Sequence, residues 1–551
     1  MHNLKEKTMT PSLQKEYEDP WNRVVIDLNA LKYNYEYLRS QLPAGVIFYS
    51  VLKSDAYGHG LTEVANVLVG SGCTHFAVES PQEGIRLRNE GITAEILLMN
   101  PIPTWMAGLA VRHDLSVSVI HPDILQPLQD AAQMMGKTCR IHLNVNVGLN
   151  RLGLSPEMII KIAKHASKMS HLEMEGLFGQ PRDSQSAQES YEGLKNTFDK
   201  LKSLKIAPNY LHFANSTTFL DHSEFVADGV RLGILLYGVL PPEQFKQNPD
   251  HHLKPVMSLE TEIVQLRNMP KGSKIGYRSN QKTERDMVIG TIPLGYHHGL
   301  DRNLTENGFV LIRGNKAPYI GAISMNASTI DVTDIPDIRI GDKVVLIGGQ
   351  GDMRIDINEM AENSKTIGAE LMMRFGKTIA RHYKWNAHEI FSLPTDDSES
   401  EKIEINYYQT ENELPDWMNV YDIIQFLQTH LVPYDDPQKV INTAVDYALS
   451  AHPEGKGFIF LATSEEKIIG AVVSIEMSKI GIIPENVFVY VCVHKDYRGK
   501  GLGTRIIQQA SRYTNGDIKL HVEKTNPAAE LLRKLGFKND YLEMRFHKGG
   551  N

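Results

Sequence analysis

The stretch YSVLKSDAYGHG, Tyr49–Gly60, starts the pattern from which the fold is inferred. An apolar, strand-like run over residues 46–52 ends at Lys53, and a polar turn follows in which two glycines flank His59. Barrel enzymes place catalytic groups at the C-terminal ends of their strands. Burial makes a lysine a better nucleophile or base. From these residues alone, a structural salt bridge and covalent bonding to a carbonyl remain equally open.

Seven further strand-like runs follow this one, separated by segments of helical length. In order, the eight runs are GVIFYSVLK, HFAVES, EILLMN, LSVSVI, RIHLNVNVG, EMEGLFG, YLHFANS and GVRLGILLYG. Strands that alternate with helices indicate parallel pairing, and eight such units predict a (β/α)8 barrel. The pattern leaves an open, doubly wound sheet as the alternative.

The composition changes near Lys254, where strand-like runs broken by Gly and Pro turns predict a second, β-rich domain. A helical segment, INEMAENSKTIGAELMMRFGK, closes this domain, and an acidic, aperiodic stretch then predicts a linker. The predicted organisation is an N-terminal extension (1–20), a barrel (21–250), a β-rich domain (251–393), a linker (394–402) and a third α/β domain (403–551).

Length and charge exclude several classes of protein. A chain of 551 residues is too long for one core, and a formal net charge of -8 gives no sign of a nucleic-acid or acidic-membrane surface. The three cysteines are scattered, so we expect neither a disulfide framework nor a metal site, and a reducing cytoplasm fits. The polar N-terminus predicts no signal peptide, and no later run predicts a membrane span.

The motif VLKSDAYGHG resembles the cofactor-lysine motif of the alanine racemase family. The resemblance covers about residues 21–392, because these further motifs recur in the family's order: GLNRLG, HFANS, VRLGILLYG, IGYRSN, TIPLGY, AISMNASTIDVT and IGDKVVLIG. It implies a (β/α)8 barrel followed by a β-rich domain, and an amino-acid racemase that depends on pyridoxal 5′-phosphate. It also implies a homodimer, since the family completes each site with residues of the partner subunit.

The resemblance assigns catalytic roles within these motifs. Lys53 would hold the cofactor covalently and act as a base on one face of the substrate α-carbon. Racemisation needs a second acid/base on the opposite face, and Tyr277 would supply it from the partner subunit. Arg151 would lie near the substrate carboxylate and a cofactor oxygen, and Met325 would offer its backbone N–H to that carboxylate, again across the interface.

The cofactor phosphate is expected at the loops after the seventh and eighth barrel strands, a recurrent anion site in barrels. The resemblance implies contacts with the cofactor from Tyr57, Asn215, Ser216, Gly233 and Ile234. It also places Arg231 opposite the pyridine nitrogen, where a permanent cation disfavours protonation of that nitrogen. The cofactor then withdraws electrons less strongly, which favours proton exchange over transamination.

Five positions depart from the family's pattern. Asn144 replaces a lysine that is often carbamylated, and Gln180 replaces a histidine, so a group that titrates near neutral pH is lost. Ala369 replaces a tyrosine that lines the pocket, and His298 and Asn326 replace aspartates. Together these departures predict a substrate larger than alanine or a weakened racemase.

A separate motif, VYVCVHKDYRGKGLGTRII, lies near the C-terminus. A strand that enters a basic, Gly-rich turn and then a helix presents successive N–H groups, which suit a pyrophosphate. With IKLHVEKTNPAAELLRKLGF downstream, residues 403–548 resemble the GNAT acetyltransferases. The resemblance implies acetyl-CoA as cosubstrate, with contacts from Val491, Val493, Arg498, Gly499, Lys500, Gly501, Leu502, Gly503 and Asn526.

This third domain departs from its family at the position of the acid. Many GNAT enzymes have a tyrosine there that protonates the departing thiolate, and this chain has Leu532. Tyr541 or a water is the candidate replacement. Glu476 is a candidate base, with an ordinary solvated strand glutamate as the alternative interpretation.

The leading interpretation is a bifunctional enzyme. A racemase with a small amino-acid substrate makes a D-amino acid, and the fused acetyltransferase acylates an amine, with the racemase product as a candidate acceptor. The alternatives are a non-catalytic or weakly active pyridoxal-phosphate barrel fused to an independent acetyltransferase, and a decarboxylase of the same broad fold. The β-rich domain that carries Tyr277 argues against a carrier, and the order of the motifs argues against a decarboxylase.

Overall fold

The computed structural model describes residues 21–248, 252–277, 282–384, 389–394, 400–415, 417–431, 436–449, 457–476, 486–514, 518–522, 526 and 528–538. These residues form two compact units, of which the first ends at Lys384 and the second begins at Glu389. The division therefore falls before the predicted domain end at Leu393. The predicted extension over residues 1–20 lies outside the described residues.

The first unit contains a closed barrel. Strand β1 (Arg23–Asp27) and helix α1 (Leu28–Ser40) precede it. The eight parallel barrel strands follow in sequence order, and the last pairs with the first. They are β2 (Ile47–Val51), β3 (His75–Val78), β4 (Glu95–Leu98), β5 (Ser116–Val119), β6 (Cys139–Asn144), β7 (Leu172–Phe178), β8 (Tyr210–His212) and β9 (Gly229–Leu232). All eight predicted runs are strands of this sheet, so the (β/α)8 barrel is confirmed and the open sheet is excluded.

Helices cover the barrel strands, and they begin where the sequence carries capping residues. Asp27 accepts the backbone N–H groups of Asn29 and Ala30 at the start of α1, and Ser80 forms a capping box with Glu83. The remaining helices of this region are α2 (Leu61–Gly70), α3 (Pro81–Asn89), α4 (Ala107–Arg112), α5 (Leu125–Met134), α6 (Pro156–Ala166), α7 (Ala187–Ser203), α8 (Ser216–Asp221) and α9 (Pro242–Gln247).

The predicted β-rich domain is confirmed, and its main sheet includes a strand from the other end of the unit. Strand β1 pairs antiparallel with β10 (Met257–Glu262) and parallel with the last strand of the unit, β18 (Arg381–Lys384). The chain segment before the barrel therefore belongs to the β-rich sheet, although the sequence assigned it to the barrel. The pairing joins residues far apart in sequence, which no local pattern signals.

The other elements of the β-rich domain follow the predicted runs closely. Its strands are β11 (Gln265–Met269), β12 (Met287–Ile292), β13 (Phe309–Ile312), β14 (Asn315–Pro318), β15 (Ser328–Asp331), β16 (Lys343–Gln350) and β17 (Met353–Ile355). Its helices are α10 (Leu304–Asn307), α11 (Ile357–Asn363) and α12 (Gly368–Thr378). The single predicted helical segment is thus two helices, because Lys365 adopts a left-handed conformation between them.

The second unit has a six-stranded sheet in sequence order. Its strands are β19 (Glu389–Pro394), β20 (Ser400–Tyr408), β21 (Gly457–Ser464), β22 (Lys467–Glu476), β23 (Asn486–Val493) and β24 (Ile518–Leu520). Its helices are α13 (Val420–His430), α14 (Gln438–Ala448), α15 (Leu502–Tyr513) and α16 (Ala528–Lys534). Both ends of the predicted linker lie in strands, since Pro394 pairs with Ser400. Among the described residues, no helix has the length and apolar character needed to cross a membrane.

Candidate active sites

Lys53 lies at the mouth of the barrel, directly after β2. Tyr49, Val51, Ala77 and Leu97 form an apolar cluster inside the barrel. Lys53 follows Val51 by two positions, and alternate strand residues share a face, so its side chain continues this inner row. Lys53 also lines an open cleft, whose roughly 540 Å³ of empty space includes open solvent. Its polar lining residues are Lys53, Glu79, Asn100, Asn144, Asn146, Arg151 and Gln180.

Four residues after the lysine form a left-handed turn. Ser54, Asp55, Ala56 and Tyr57 have φ values of 57°, 55°, 55° and 53°. Each such residue costs about 1–2 kcal/mol relative to a right-handed conformation. A turn of this kind persists only where its surroundings hold it, and strained backbone of this type clusters at functional sites.

Asp55 holds the turn through contacts on several sides. Its carboxylate accepts the backbone N–H of Leu61 at 3.0 Å and pairs with Arg86 at 3.1 Å and with Arg381 of β18. Burial acts to raise the pKa of Asp55, but the hydrogen bond from Arg381 and the other partners outweigh it, so the pKa is lowered. The β-rich domain thus fixes the turn that follows Lys53.

Close backbone contact locks the end of the turn. A Cβ on Gly376, in α12, would lie 1.9 Å from the Gly58 carbonyl oxygen, so only glycine allows this approach. The fully buried His59 stacks on Tyr237 with ring centroids 4.3 Å apart and donates from Nδ1 to the Ala56 carbonyl at 3.0 Å. Burial lowers the pKa of His59 to about 4, so the ring is neutral and structural.

Tyr57 points from the turn to the loops after β8 and β9. A Cβ on Gly233 would lie 2.6 Å from the Tyr57 hydroxyl, and the Gly233 N–H donates to Ser216 Oγ at 3.2 Å. Asn215 accepts the Thr218 N–H through its side chain and so caps α8. Ser216 begins this helix rather than ending the strand, and Ile234 begins a short 3₁₀ helix. Hydroxyls and backbone N–H groups therefore converge at one end of the barrel mouth.

Arg231 is buried in β9 and bound by four acceptors. One terminal nitrogen donates to His212 Nδ1 at 2.9 Å and to the His212 carbonyl at 3.0 Å. The other donates to the carbonyls of Gly179 at 2.8 Å and Phe213 at 3.1 Å. Burial lowers the pKa of Arg231 to about 10, which leaves it a cation at neutral pH.

Two predicted site residues on the β-rich domain lie outside this cavity. Tyr277 is 80% exposed and Met325 is 53% exposed, and neither lines the pocket. Ala369, in the first turn of α12, is half-buried and also lies outside the lining. Glu79 and Asn100, which sequence reasoning missed, do line it, and Asn100 donates to Glu79 at 2.9 Å. The alternation of side chains along β3 could have identified Glu79, because Glu79 lies two positions after Ala77, which faces the inside of the barrel.

The second unit holds the other predicted site around the end of β23. Val491 and Val493 are half-exposed while Tyr490 and Cys492 are buried. Among the described residues, pairing with β24 extends over Asn486–Phe488, and the last residues of β23 lie beyond this pairing. Two parallel strands that part in this way leave backbone groups of β23 open to a ligand.

Two glycines of the turn that follows have open space around them in the described part of this unit. Gly499 and Gly501 have φ values of 78° and 87°, and an added Cβ on either would meet no atom within 4 Å. Leu502 and Gly503 begin α15, and the Lys500 ammonium lies 5.9 Å from the Tyr497 ring. Arg498 instead binds within the protein, because it donates to the carbonyls of Val493 at 3.0 Å and His430 at 2.6 Å. The Arg498 side chain is thus partly engaged within the protein, and its backbone belongs to the exposed turn.

Several other predicted residues of this unit are engaged or buried. The Asn526 side chain accepts the Ala528 N–H at 2.9 Å, at the start of α16. Leu532 is 5% exposed, so no acid occupies the position of the family's tyrosine. Glu476 ends β22 opposite Asn486. Tyr541 lies outside the described residues.

The first unit is thus a (β/α)8 barrel with a β-rich domain, and its cavity is lined by a lysine and an arginine. The Tyr57 and Ser216 hydroxyls and the Gly233 N–H meet at the loops after β8 and β9. Residues 26–241 match the alanine racemase N-terminal domain, and residues 256–383 match the C-terminal domain. The chain belongs to the alanine racemase family. Residues 455–539 match the acetyltransferase (GNAT) domain, so the resemblance of the second unit is also confirmed.

Individual relatives agree with this assignment. The alanine racemase of Halothermothrix orenii is 35% identical over 364 residues, which are 65% of this chain and 96% of the relative. Alanine racemase 1 of Clostridium acetobutylicum is 32% identical over 372 residues, which are 66% of this chain and 96% of the relative. The Bacillus anthracis enzyme with bound L-Ala-P aligns with a TM-score of 0.61 and 28% identity, covering 67% of this chain and 96% of that one. The Bartonella henselae alanine racemase with covalently bound pyridoxal phosphate aligns with a TM-score of 0.60 and 27% identity, covering 66% of this chain and 100% of that one.

Proposed function

We propose that the chain is a bifunctional enzyme, in which the first unit is a pyridoxal 5′-phosphate-dependent amino-acid racemase and the second is an acetyl-CoA-dependent N-acetyltransferase that acts on the racemase product. The observation that carries the racemase is the left-handed turn after Lys53. Contacts from the β-rich domain hold this strained turn beside a cavity that contains Arg151.

The residues at the barrel mouth fit pyridoxal phosphate. The Tyr57 and Ser216 hydroxyls and the Gly233 N–H converge there, because glycine lets the backbone at residue 233 come close to the Tyr57 hydroxyl, and such groups suit a phosphate. Lys53 lies in the same mouth and would hold the group covalently. When bound, this cofactor withdraws electrons from the substrate α-carbon and makes its proton acidic.

The protein's own groups would then divide the proton transfers. Lys53 removes or returns the α-proton on one face, and Arg151 binds the substrate carboxylate through a bidentate, charge-assisted contact. Arg231 stays a cation and keeps the cofactor nitrogen from being protonated. Tyr277 of the partner subunit serves the opposite face. Its 80% exposure in the single chain fits a residue that becomes buried only in a homodimer.

Replacing Lys53 tests the racemase. Lys53→Ala should abolish α-proton exchange in deuterated water from both enantiomers, while the exposed control Lys161→Ala should leave exchange unchanged. Borohydride treatment followed by peptide mass spectrometry should find the cofactor on Lys53 in the native chain. Labelling of another lysine, or of none, would contradict the proposal.

Mixed dimers test the shared site. A Lys53→Ala chain and a Tyr277→Phe chain are each expected to be inactive, but their hybrid should regain one intact site of two. Recovered exchange after proven subunit mixing supports donation across the interface. An inactive hybrid would mean that each site is built within one chain.

The acetyltransferase proposal is supported by the open Gly-rich turn at the start of α15. Successive backbone N–H groups at a helix N-terminus suit the pyrophosphate of acetyl-CoA. The end of β23 beyond its pairing with β24 suits the thioester, whose carbonyl a backbone N–H would polarise. With Leu532 in place of the acid, a water or another group must protonate the thiolate.

Fusion supports coupling of the two activities. A tether raises the effective concentration of one site near the other to roughly the millimolar range where geometry permits. Acetylation of the D-amino acid would draw a nearly balanced racemisation toward one product. The test supplies an L-amino acid with acetyl-CoA and follows free thiol. Thiol release should require Lys53 and should return in Lys53→Ala when the D-enantiomer is added. Equal release from both enantiomers in that variant, or none from either, contradicts coupling.

A further inference from the structure

We propose that Glu175 and His142 are positioning residues for the racemase: through His212, they fix the direction of the hydrogen bonds that hold Arg231. The effect on turnover rests on the proposed racemase function, whereas the proton positions do not. Glu175, His142, His212 and Arg231 form a row of hydrogen-bonded side chains inside the barrel, which we call the relay. Arg231 contacts His212, His212 Nε2 lies 3.0 Å from His142 Nδ1, and His142 Nε2 lies 2.8 Å from Glu175 Oε2.

The chemistry of the groups at each end sets one direction for every hydrogen bond. A guanidinium can only donate, so His212 Nδ1 must accept from Arg231. A neutral His212 then carries its proton on Nε2 and donates to His142 Nδ1. His142 in turn carries its proton on Nε2 and donates to the Glu175 carboxylate. A cation at one end and an anion at the other therefore specify both histidine tautomers.

Burial keeps both histidines neutral, as this ordering requires. Burial lowers the pKa of His142, and it lowers that of His212 well below its ordinary value, with the positive charge of Arg231 adding to the effect. Burial acts to raise the pKa of Glu175, but the hydrogen bond from His142 outweighs it and the pKa is lowered. The relay is thus an anion, two neutral rings and a cation.

Packing leaves the rings no other arrangement. His212 is stacked between Tyr49 and Phe178, with centroid distances of 5.2 Å and 4.9 Å. A Cβ on Gly176 would lie 2.3 Å from His142 Nδ1, so the strand that carries Glu175 has glycine where the two histidines meet. Rings held in this way cannot turn to offer Arg231 a different nitrogen.

Other ionisable groups face the outer end of the relay. Arg140 lies 3.8 Å from Glu175 and also pairs with Glu95, and the Ser116 hydroxyl donates to Glu175 at 3.2 Å. His75 and Tyr210 lie near the inner rings: His75 packs edge-on against Tyr49, whose hydroxyl is 2.5 Å from that of Tyr210. Among these groups, only Glu175 accepts a hydrogen bond from His142. Glu95 is therefore a matched control, since its removal also changes the surroundings of Arg140 but does not touch the relay.

Arg231 depends on this chain because no described carboxylate pairs with it directly. Its partners are three carbonyls and one imidazole nitrogen. If the His212 proton moved to Nδ1, two donors would face each other and Arg231 would shift. Carboxylates that orient a histidine from one shell away have comparable effects at metal sites, where their loss typically changes affinity or activity about 10- to 100-fold.

The experiment compares Glu175→Gln, Glu175→Leu and Glu95→Gln in the full-length holoenzyme. ¹⁵N-histidine NMR reports which ring nitrogen carries each proton, with signals assigned from His142→Asn. In the native protein, His142 and His212 should both be neutral and protonated on Nε2 at pH 7. Glu175→Gln keeps an acceptor oxygen and should keep both tautomers. Glu175→Leu leaves the His142 Nε2–H without its acceptor, so protonation of His142 and His212 on Nδ1 should become detectable even though Arg231 disfavours it, and kcat should fall about 10- to 100-fold with little change in KM.

Three results would overturn the proposal. One is a native His212 that is protonated on Nδ1 or on both nitrogens. Another is a folded Glu175→Leu variant with unchanged tautomers. The third is a Glu95→Gln variant that loses as much kcat as Glu175→Leu. Thermal unfolding checks that each variant is folded. If Glu175→Leu does not fold, the proton positions of His142 and His212 in the native protein still decide. If the native protein catalyses no racemisation, the proposed function is refuted instead.

Discussion

The turn after Lys53 and the Gly-rich turn before α15 are both candidate ligand sites, but they are built in opposite ways. The first is a strained run of side-chain-bearing residues, held by ion pairs and by backbone packed against Gly376. The second contains glycines around which an added Cβ meets nothing. The racemase site is therefore specified by its surroundings, whereas the acetyltransferase turn is specified by its own residues.

This difference teaches where each site is vulnerable. Changes far from Lys53 in sequence should damage the racemase, because residues of α12 and β18 hold the turn. Changes near the acetyltransferase turn should act locally and leave the fold intact. Substitutions at Gly376, Gly501, Asp55 and Ala369 test this contrast.

The largest effect is expected at Gly376. In Gly376→Ala the new Cβ would lie 1.9 Å from the Gly58 carbonyl, and backbone on both sides cannot yield. We expect a loss of about 3 kcal/mol or more in the free energy of unfolding of the first unit, with loss of proton exchange. Thermal and urea unfolding measure it. The control is Gly193→Ala in α7, where the Cβ meets no atom within 4 Å and should stabilise by about 0.5–1 kcal/mol. Equal stability of the two variants would remove the basis of the comparison.

At Gly501 we expect a smaller loss of stability and a complete loss of acetyltransferase activity. Gly501→Val meets no atom but places a β-branched residue at a φ of 87°, so a moderate cost of about 1–2 kcal/mol is expected. The new side chain would occupy the space above the turn and should stop thiol release from acetyl-CoA, while racemisation continues. Gly272→Val, at a φ of 86° in the first unit, controls for backbone strain and should leave thiol release unchanged. Normal release from Gly501→Val would mean that acetyl-CoA binds elsewhere.

Asp55 should give a smaller, pH-dependent effect. Asp55→Asn weakens the contacts to Arg381 and Arg86, and we expect a loss of about 1–2 kcal/mol after allowing for solvent screening. The folded-state pKa of Asp55 is lowered, so its contribution is complete above the unfolded value near 3.9 and is lost as pH falls through the folded value. The stability difference from the native chain should therefore persist at pH 7 and shrink below about pH 4. Asp334→Asn, an exposed pair with Arg285, should show little change at either pH. A difference that stays constant into acid would contradict this assignment.

At Ala369 we expect a change in substrate preference and not in stability. Ala369→Tyr adds a ring at the start of α12, and it should shift substrate preference toward alanine by about 10- to 100-fold, the scale of excluding a few methylenes. The ratio of kcat/KM for a larger amino acid and alanine measures it, with Ala369→Ser as the control. Because Ala369 lies outside the cavity of the single chain, an unchanged ratio would show that it does not reach the substrate.

Sequence patterns identified the elements that depend on a short stretch of sequence, and they missed features that depend on residues far apart in the chain. The eight barrel strands were recognisable because each is an apolar run bounded by turns. Strand β1 was assigned to the wrong domain because its partners begin at Met257 and Arg381. The left-handed turn has no sequence signature, since Ser54, Asp55, Ala56 and Tyr57 are not glycine and their conformation is imposed by tertiary contacts.

The same distinction holds for the candidate sites: those within one motif were predicted, and those assembled from several strands were not. Lys53 and the Gly-rich turn were found because each belongs to one continuous motif. The relay from Glu175 to Arg231 was not found, because its four members lie on β6, β7, β8 and β9 and meet only when the barrel closes. The contact of Arg498 with the cosubstrate stays a prediction, and the motif did not indicate that its side chain donates to the carbonyls of Val493 and His430.

The position of β1 has a consequence for synthesis on the ribosome. Residues 23–27 emerge early, but β18 is made more than 350 residues later. At roughly 5–20 residues per second, the strand must wait about 20–70 s for this partner. During that time one edge of the strand is open to pairing with other chains. The first unit can therefore complete its sheet only when the second unit is about to emerge, and nascent chains should need protection from aggregation until then.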